Sequence, residues 1–211
     1  MFQRDYILRM IEMMGDLMRR VKELMDELSQ MRLLDGACRR HCGLPLHAVE
    51  ALSADSLKEM LGPTPRLFAS ELLYARATGF SLAGEDEDAL LLNSLRLLAS
   101  LWEEGAVCEL RAARLKQLKE RLLSLLTADD LMLCAEFLFQ ADEYADMEDA
   151  IFQAIERGTA ELCASIARRG EALLREAAKA DERILALART SGHELRESAR
   201  ELMERAGLAG E

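Results

Sequence analysis

FQRDYILRMIEMMGDLMRRVKELMDELSQMRLL, residues Phe2 to Leu34, is the stretch whose periodicity decides the fold class. From Ile7 its apolar residues fall at Ile7, Met10, Met14, Leu17, Val21, Leu24, Leu28 and Met31, in alternating steps of three and four. That is the spacing of a helix with one apolar face or of a coiled-coil seam. Ile11, Met18 and Met25 run beside this line, and charged residues take the other faces. Asp5 stands four before Arg9 and Asp16 four before Arg20, the orientation that supports an exposed helix by about 0.2–0.5 kcal/mol per pair. One helix is expected over the whole stretch, stopped by Asp35-Gly36.

Leaving such a row of large apolar side chains in water would forfeit on the order of 20 kcal/mol, more than the net stability of a typical domain. The face must therefore be covered, either by the helices that follow or by a second copy or a partner helix. Seven of the 11 methionines lie in residues 1–31, and flexible thioethers suit both an ordinary core and a surface that adapts to several shapes. A docking role would rest on Ile7, Met10, Met14, Leu17, Met18, Val21, Leu24, Met25 and Leu28. Between residues 4 and 27 five bases mix with six acids, so the helix lacks the basic polar face that anionic lipid attracts.

Composition carries the helical reading to the rest of the 211 residues, a length that suits one large domain or two small ones. Val, Ile and Thr together number 14, whereas Leu, Ala, Glu and Arg dominate, so an all-α fold is expected. The three prolines, Pro45, Pro63 and Pro65, fall in one segment and leave Arg66 onward free of proline breaks. No apolar run reaches transmembrane length and no signal-peptide pattern opens the chain, which predicts a cytoplasmic protein. Five cysteines, odd in number and irregularly spaced, fit free thiols in a reducing compartment. The net charge of −11 argues against nucleic acid, whose binding rests on phosphate neutralisation.

Residues 36–63 read as a connector with two short helices, Leu46–Leu52 and Ala54–Leu61, the second capped by Ser53. Here stand the candidate metal ligands Cys38, His41 and Cys42, with His47 further on. Thiolates and imidazoles at such spacing can hold zinc, but neither a paired C-x-x-C nor a known zinc spacing is present. The expectation is half-buried thiols and surface histidines, without a metal or cofactor. A metal- or thiol-dependent enzyme or sensor centred on these four residues is the alternative.

Thr64 and Pro65 predict a helix start, with Leu73, Ala77 and Phe80 on one face and an end near Leu82. Glu85-Asp86-Glu87-Asp88 places four carboxylates at the positive end of the next helix. That helix, Ala89–Trp102, is apolar nearly all round and is expected to be the most buried. Val107–Leu126 reads as a basic helix, and Thr127 with Asp130 resembles a capping box opening an acidic one. A helix from Thr159 to Arg189 is possible, and Ser191 with Glu194 opens a last one.

Leu73, Ala77, Phe80, Gly84 and Ala89 stand at spacings similar to the tetratricopeptide helix–turn–helix pattern, and Phe137, Leu138, Ala141, Ala145, Ala150 and Ile151 look like a second such unit. Asn93 departs from the pattern, and Ala89 and Ala150 are 61 residues apart, so any repeat is degenerate. The opening Gln3-Arg4-Asp5-Tyr6-Ile7-Leu8-Arg9, with Gly43-Leu44-Pro45-Leu46, resembles a family of uncharacterised helical bacterial proteins. That resemblance implies no activity and no catalytic residue. The expected layout is an amphipathic helix over 1–35, a connector over 36–63 and tetratricopeptide-like hairpins over 64–207. No H-E-x-x-H, phosphate-cradling glycine loop or G-x-S-x-G is present. The function expected is non-enzymatic: a scaffold binding a protein or peptide, or a second copy of itself.

Overall fold

The computed structural model describes residues 2–24, 26–80 and 84–208, so the expected roles of Met25 and Leu82 lie outside the described residues. Among the described residues there are twelve α-helices, one short 3-10 turn and no strand, so the fold is all-α. The chain forms two compact units, one ending at Val107 and one beginning at Cys108.

The first unit contains α1 (Phe2–Glu23), α2 (Glu27–Cys42), α3 (Leu46–Ala51), α4 (Ala54–Met60), α5 (Pro63–Gly79) and α6 (Gly84–Ala99). The single helix expected over Phe2–Leu34 is two helices. The break between α1 and α2 comes from Asp26, whose side chain accepts the Ser29 N–H at 2.8 Å and caps α2. Capping offers the local backbone a partner that competes with continued helix. The expected stop at Asp35-Gly36 does not occur either. The helix runs through both residues because Leu34, Cys38 and Cys42, four apart, bury one face, and it ends at Gly43, whose left-handed φ of 72° suits glycine. α2 thus crosses the boundary expected between helix and connector.

α5 is the pillar of this unit, packed against α1, α2, α3 and α6. It starts at Pro63, earlier than the Thr64 cap predicts, because Pro63 and Pro65 both fit the first turn. Leu67, Phe68, Ala69, Leu72, Leu73, Ala75 and Ala77 are all buried, so α5 is covered more evenly than α6, where Ala89 is exposed and Leu92 half-buried. The two helices run antiparallel: Ser70 Oγ donates to the Ser94 carbonyl and Ser94 Oγ to the Ser70 carbonyl, both at 2.8 Å. Near one end, the Arg66 guanidinium donates to the carbonyls of Lys58, Leu61 and Ser100. It thereby serves orphan C-terminal acceptors of two helices with a cation, which their dipoles favour.

The second unit holds most of α7 (Gly105–Leu122), then α8 (Ala128–Gln140), α9 (Tyr144–Arg157), α10 (Ala160–Ala177), α11 (Glu182–Leu187) and α12 (Gly192–Arg205). Thr127 and Asp130 form the reciprocal capping box at the start of α8. α8 and α9 are antiparallel: the Phe139 and Tyr144 rings meet at 6.1 Å beside the turn, and Arg157 donates to the Leu126 carbonyl at the far end. Lys116 of α7 bridges Glu143 at 2.9 Å and Asp146 at 3.1 Å. The helix considered over Thr159–Arg189 is two, because Asp181 caps a fresh start at α11 by accepting the Arg183 N–H. α10 packs on α8, α9 and α12, and Gly170 makes that closeness possible. A Cβ there would stand 2.5 Å from the Ile151 Cγ2 methyl and 2.8 Å from Leu202 Cδ2.

Candidate functional site

The most chemically distinctive concavity of the first unit lies between α1, α2 and the start of α5. Because the break between α1 and α2 folds α2 back along α1, one face of each helix looks across a cleft of about 500 Å³ whose lining includes Leu17, Met13, Leu33 and Phe68. It runs into a second hollow of about 510 Å³, which shares Arg9, Met13, Arg40, His41 and Phe68 and adds Tyr6, Met10 and Pro65. Phe68 is the floor, itself 1% exposed. The His41 ring packs on it with centroids 4.6 Å apart. Burial and the neighbouring Arg40 charge both hold His41 below its ordinary pKa, so it is neutral at pH 7.

Four exposed arginines rim this floor: Arg9 and Arg20 from α1, Arg32 and Arg40 from α2. Glu12 and Asp16 stand among them. Asp16 is already engaged, since it pairs with Arg19 at 2.9 Å and not with the Arg20 that sequence spacing suggests. Arg9 likewise forms no ion pair with Asp5, and among the described residues no salt bridge or hydrogen bond engages any of the four rim guanidiniums. The unit as a whole carries 12 bases and 17 acids, so this cationic rim is a local reversal of its charge.

The nine apolar residues considered for docking behave differently. Ile7, Met10, Met14, Leu17 and Val21 are buried within their own chain, where α1 packs on α2 and α5. Met18 is half-buried, its Cε 3.8 Å from where a Cβ on Gly79 of α5 would stand. Leu24 is half-buried at the break, where its carbonyl accepts from the Gln30 amide. Leu28 is 63% exposed, which corrects its place on the seam: the break resets the helical phase, and Leu34 and Cys38 face inward instead.

Of Cys38, His41, Cys42 and His47, only the two cysteines are brought together. Among the described residues no three His, Cys, Asp or Glu side chains are grouped as metal ligands. Cys38 and Cys42 are buried, and the Cys42 thiol meets the Pro65 carbonyl at 3.5 Å. A hydrogen bond between the two thiols lowers the pKa of Cys38 and raises that of Cys42. His47 is exposed on α3. In the second unit Cys134 is enclosed, and burial pushes its thiol up to about 12, far from a reactive thiolate.

The sequence pattern puts Arg9 and Arg20 on the polar faces of the first helix, gives Arg32 and Arg40 no role and does not point to the cleft. They could be found from their spacing, Arg32 and Arg40 eight apart and Arg9 and Arg20 eleven apart, only once α2 was known to pass through Gly36. No helix of the described residues is long and apolar enough to cross a membrane. Comparison with protein-family models, curated proteins and solved structures finds no match to this chain.

Proposed function

We propose that this is a non-enzymatic helical interaction protein whose first unit holds a segment of a partner protein in the cleft between α1, α2 and α5. The observation that carries the reading is the pairing of an apolar aromatic floor with four guanidiniums that make no ion pair or hydrogen bond among the described residues, in a protein of net charge −11. Arginines held without internal partners do little for the fold, whereas arginines beside aromatic and Met side chains are what interfaces are enriched in. The groove extends along α1 from Tyr6 to Arg20, about 21 Å of helix, which suits a short helix or strand segment. Catalysis has little to work with there. His41 packs at a tilt against Phe68 with no nucleophile or carboxylate hydrogen-bonded to it among the described residues, and the nearby thiols of Cys38 and Cys42 are buried. Docking through the α1 apolar face is a weaker form of the same idea, because five of its nine residues are already covered. Five unpaired cysteines support a reducing compartment such as the cytoplasm.

The test is selection from a random-peptide display library against the full chain and against Gly36→Trp. Gly36 lines the cleft and has open space where its Cβ would be, so the indole fills the groove. Peptides enriched on the natural chain and lost on the variant are the expected result. Failure to enrich any peptide, or equal enrichment on both chains, would remove the reading.

A further inference from the structure

The four arginines of the cleft form two poles, and their placement specifies an occupant more closely than the groove alone does, provided that the cleft binds a protein segment as proposed. Arg20 and Arg32 stand toward the break between α1 and α2, while Arg9 and Arg40 stand at the other end, where both hollows share them. Along α2 the poles are eight residues apart, about 12 Å, and along α1 eleven, about 16 Å. Between them lies the apolar floor on Phe68, with two carboxylates also on the lining: Glu12, and Asp16, which is held by Arg19.

We infer that the occupant is an acidic amphipathic helical segment carrying carboxylates about two helical turns apart, with apolar side chains between them and no acid at the centre. Two turns of helix span about 11–12 Å, matching the separation of the α2 poles. Carboxylates at both ends meet guanidiniums able to bind them in a bidentate fork. The apolar residues between them land on the floor, and Glu12 repels an acid placed at the middle. Extended polyanions suit this surface less well. The cleft's field is screened within about 8 Å at physiological ionic strength, so a membrane or nucleic acid must lay most of its charge beyond the poles, against a unit that carries 12 bases and 17 acids in all. A short segment meets only the poles.

The experiment uses the full chain and a fluorescein-labelled helical peptide of about 16 residues with Glu at positions i and i+8 flanking leucines, compared with versions carrying Gln or Lys at both positions. Anisotropy titrations are run at low and high salt, with Arg32→Glu/Arg40→Glu as the cleft variant and Arg183→Glu/Arg189→Glu, exposed residues of the second unit, as an equal change of net charge. Melting curves check that the variants fold, and the milder Arg9→Gln/Arg40→Gln pair is carried alongside. The expected result is that the Glu peptide binds about tenfold or more tightly than the Gln peptide, that binding weakens with salt, and that only the cleft variants lose it. Equal binding of the Gln or Lys peptide overturns the acidic occupant but leaves a peptide-binding cleft. Equal loss in the control variant, or no binding of the Glu peptide while library peptides are still enriched, also overturns it. Cleft-dependent binding of phosphatidylglycerol vesicles in preference to the peptide would make the occupant a lipid. A dimer by light scattering that Arg32→Glu/Arg40→Glu dissolves would make it a second copy, and either result rejects the inference. If no library peptide is enriched, peptide binding by the cleft falls first.

Discussion

The two units use their basic side chains in opposite ways where helices meet. In the second, Lys116 bridges Glu143 and Asp146, Arg169 meets Glu136 at 2.6 Å, and Arg157 serves the Leu126 carbonyl. Each ties one helix to another element of the same unit. In the first, Arg66 and Arg76 do the same, Arg76 with Glu50 at 3.0 Å, but the four arginines around the cleft tie nothing. Individually a half-exposed pair contributes little to stability, so the difference teaches less about stability than about availability. The second unit also keeps a hollow, of about 580 Å³ between the end of α10, α11 and α12, but only the cleft of the first is rimmed by four arginines that form no ion pair or hydrogen bond among the described residues.

The sharpest way to break this comparison is to remove material from each side. Phe137 of α8 is fully enclosed, and Phe137→Ala should cost about 3–5 kcal/mol by transfer and cavity terms together. Arg9→Gln/Arg40→Gln should leave the denaturation midpoint within about 0.5 kcal/mol of the natural chain, as surface changes without partners do. Urea unfolding followed by circular dichroism measures both. A large loss in the arginine pair would mean those side chains hold the fold, and the contrast between the units would be false.

Glycine gives a second comparison, of opposite sign in the two units. Gly15 in α1 has nothing within 4 Å of its would-be Cβ, so Gly15→Ala should stabilise by about 0.5–1 kcal/mol through helix propensity alone. At Gly170 the same substitution meets the Ile151 Cγ2 methyl at 2.5 Å. A methyl fixed on a β-branched carbon cannot swing aside as the end of a leucine can. Overpacking of about 1–3 kcal/mol should outweigh the propensity gain and leave Gly170→Ala destabilised. Thermal melts of the two variants decide it, and movement in the same direction would show that the α9–α10–α12 junction has slack.

These pairs also mark what could be read from the chain alone. The step of three and four from Ile7 to Val21 predicts a helix with one covered face, and those five residues are buried. The same periodicity runs unbroken through Asp26, where the helix breaks, because apolar spacing carries no record of a side chain that caps. Gly36 misleads in the other direction. A glycine costs a helix about 1 kcal/mol but does not end it when Leu34, Cys38 and Cys42 bury the face it interrupts. Both errors fall on the α1–α2 hairpin, and so the cleft, which exists only because the chain folds back there, stayed hidden while the all-helical class did not.

Asp35 joins the two observations and supplies the smallest effect. Its carboxylate accepts from the Arg39 side chain and from the Leu46 backbone N–H, both at 2.8 Å, and so fastens the start of α3 to the middle of α2. The hydrogen bond from Arg39, then that from Leu46, holds its pKa below the usual Asp range. Both favour the ionised form, which only the folded chain rewards. The stabilisation is therefore complete above about pH 4, near the value of the unfolded chain, and is lost as pH falls through the lower folded-state value. Asp35→Asn keeps an acceptor for Leu46 but loses the charge. Its melting temperature should lie below that of the natural chain at pH 6, and the gap should close as both are taken toward pH 2. A gap of constant size across that window would mean that geometry alone makes the junction, and that charge in the first unit serves only the cleft.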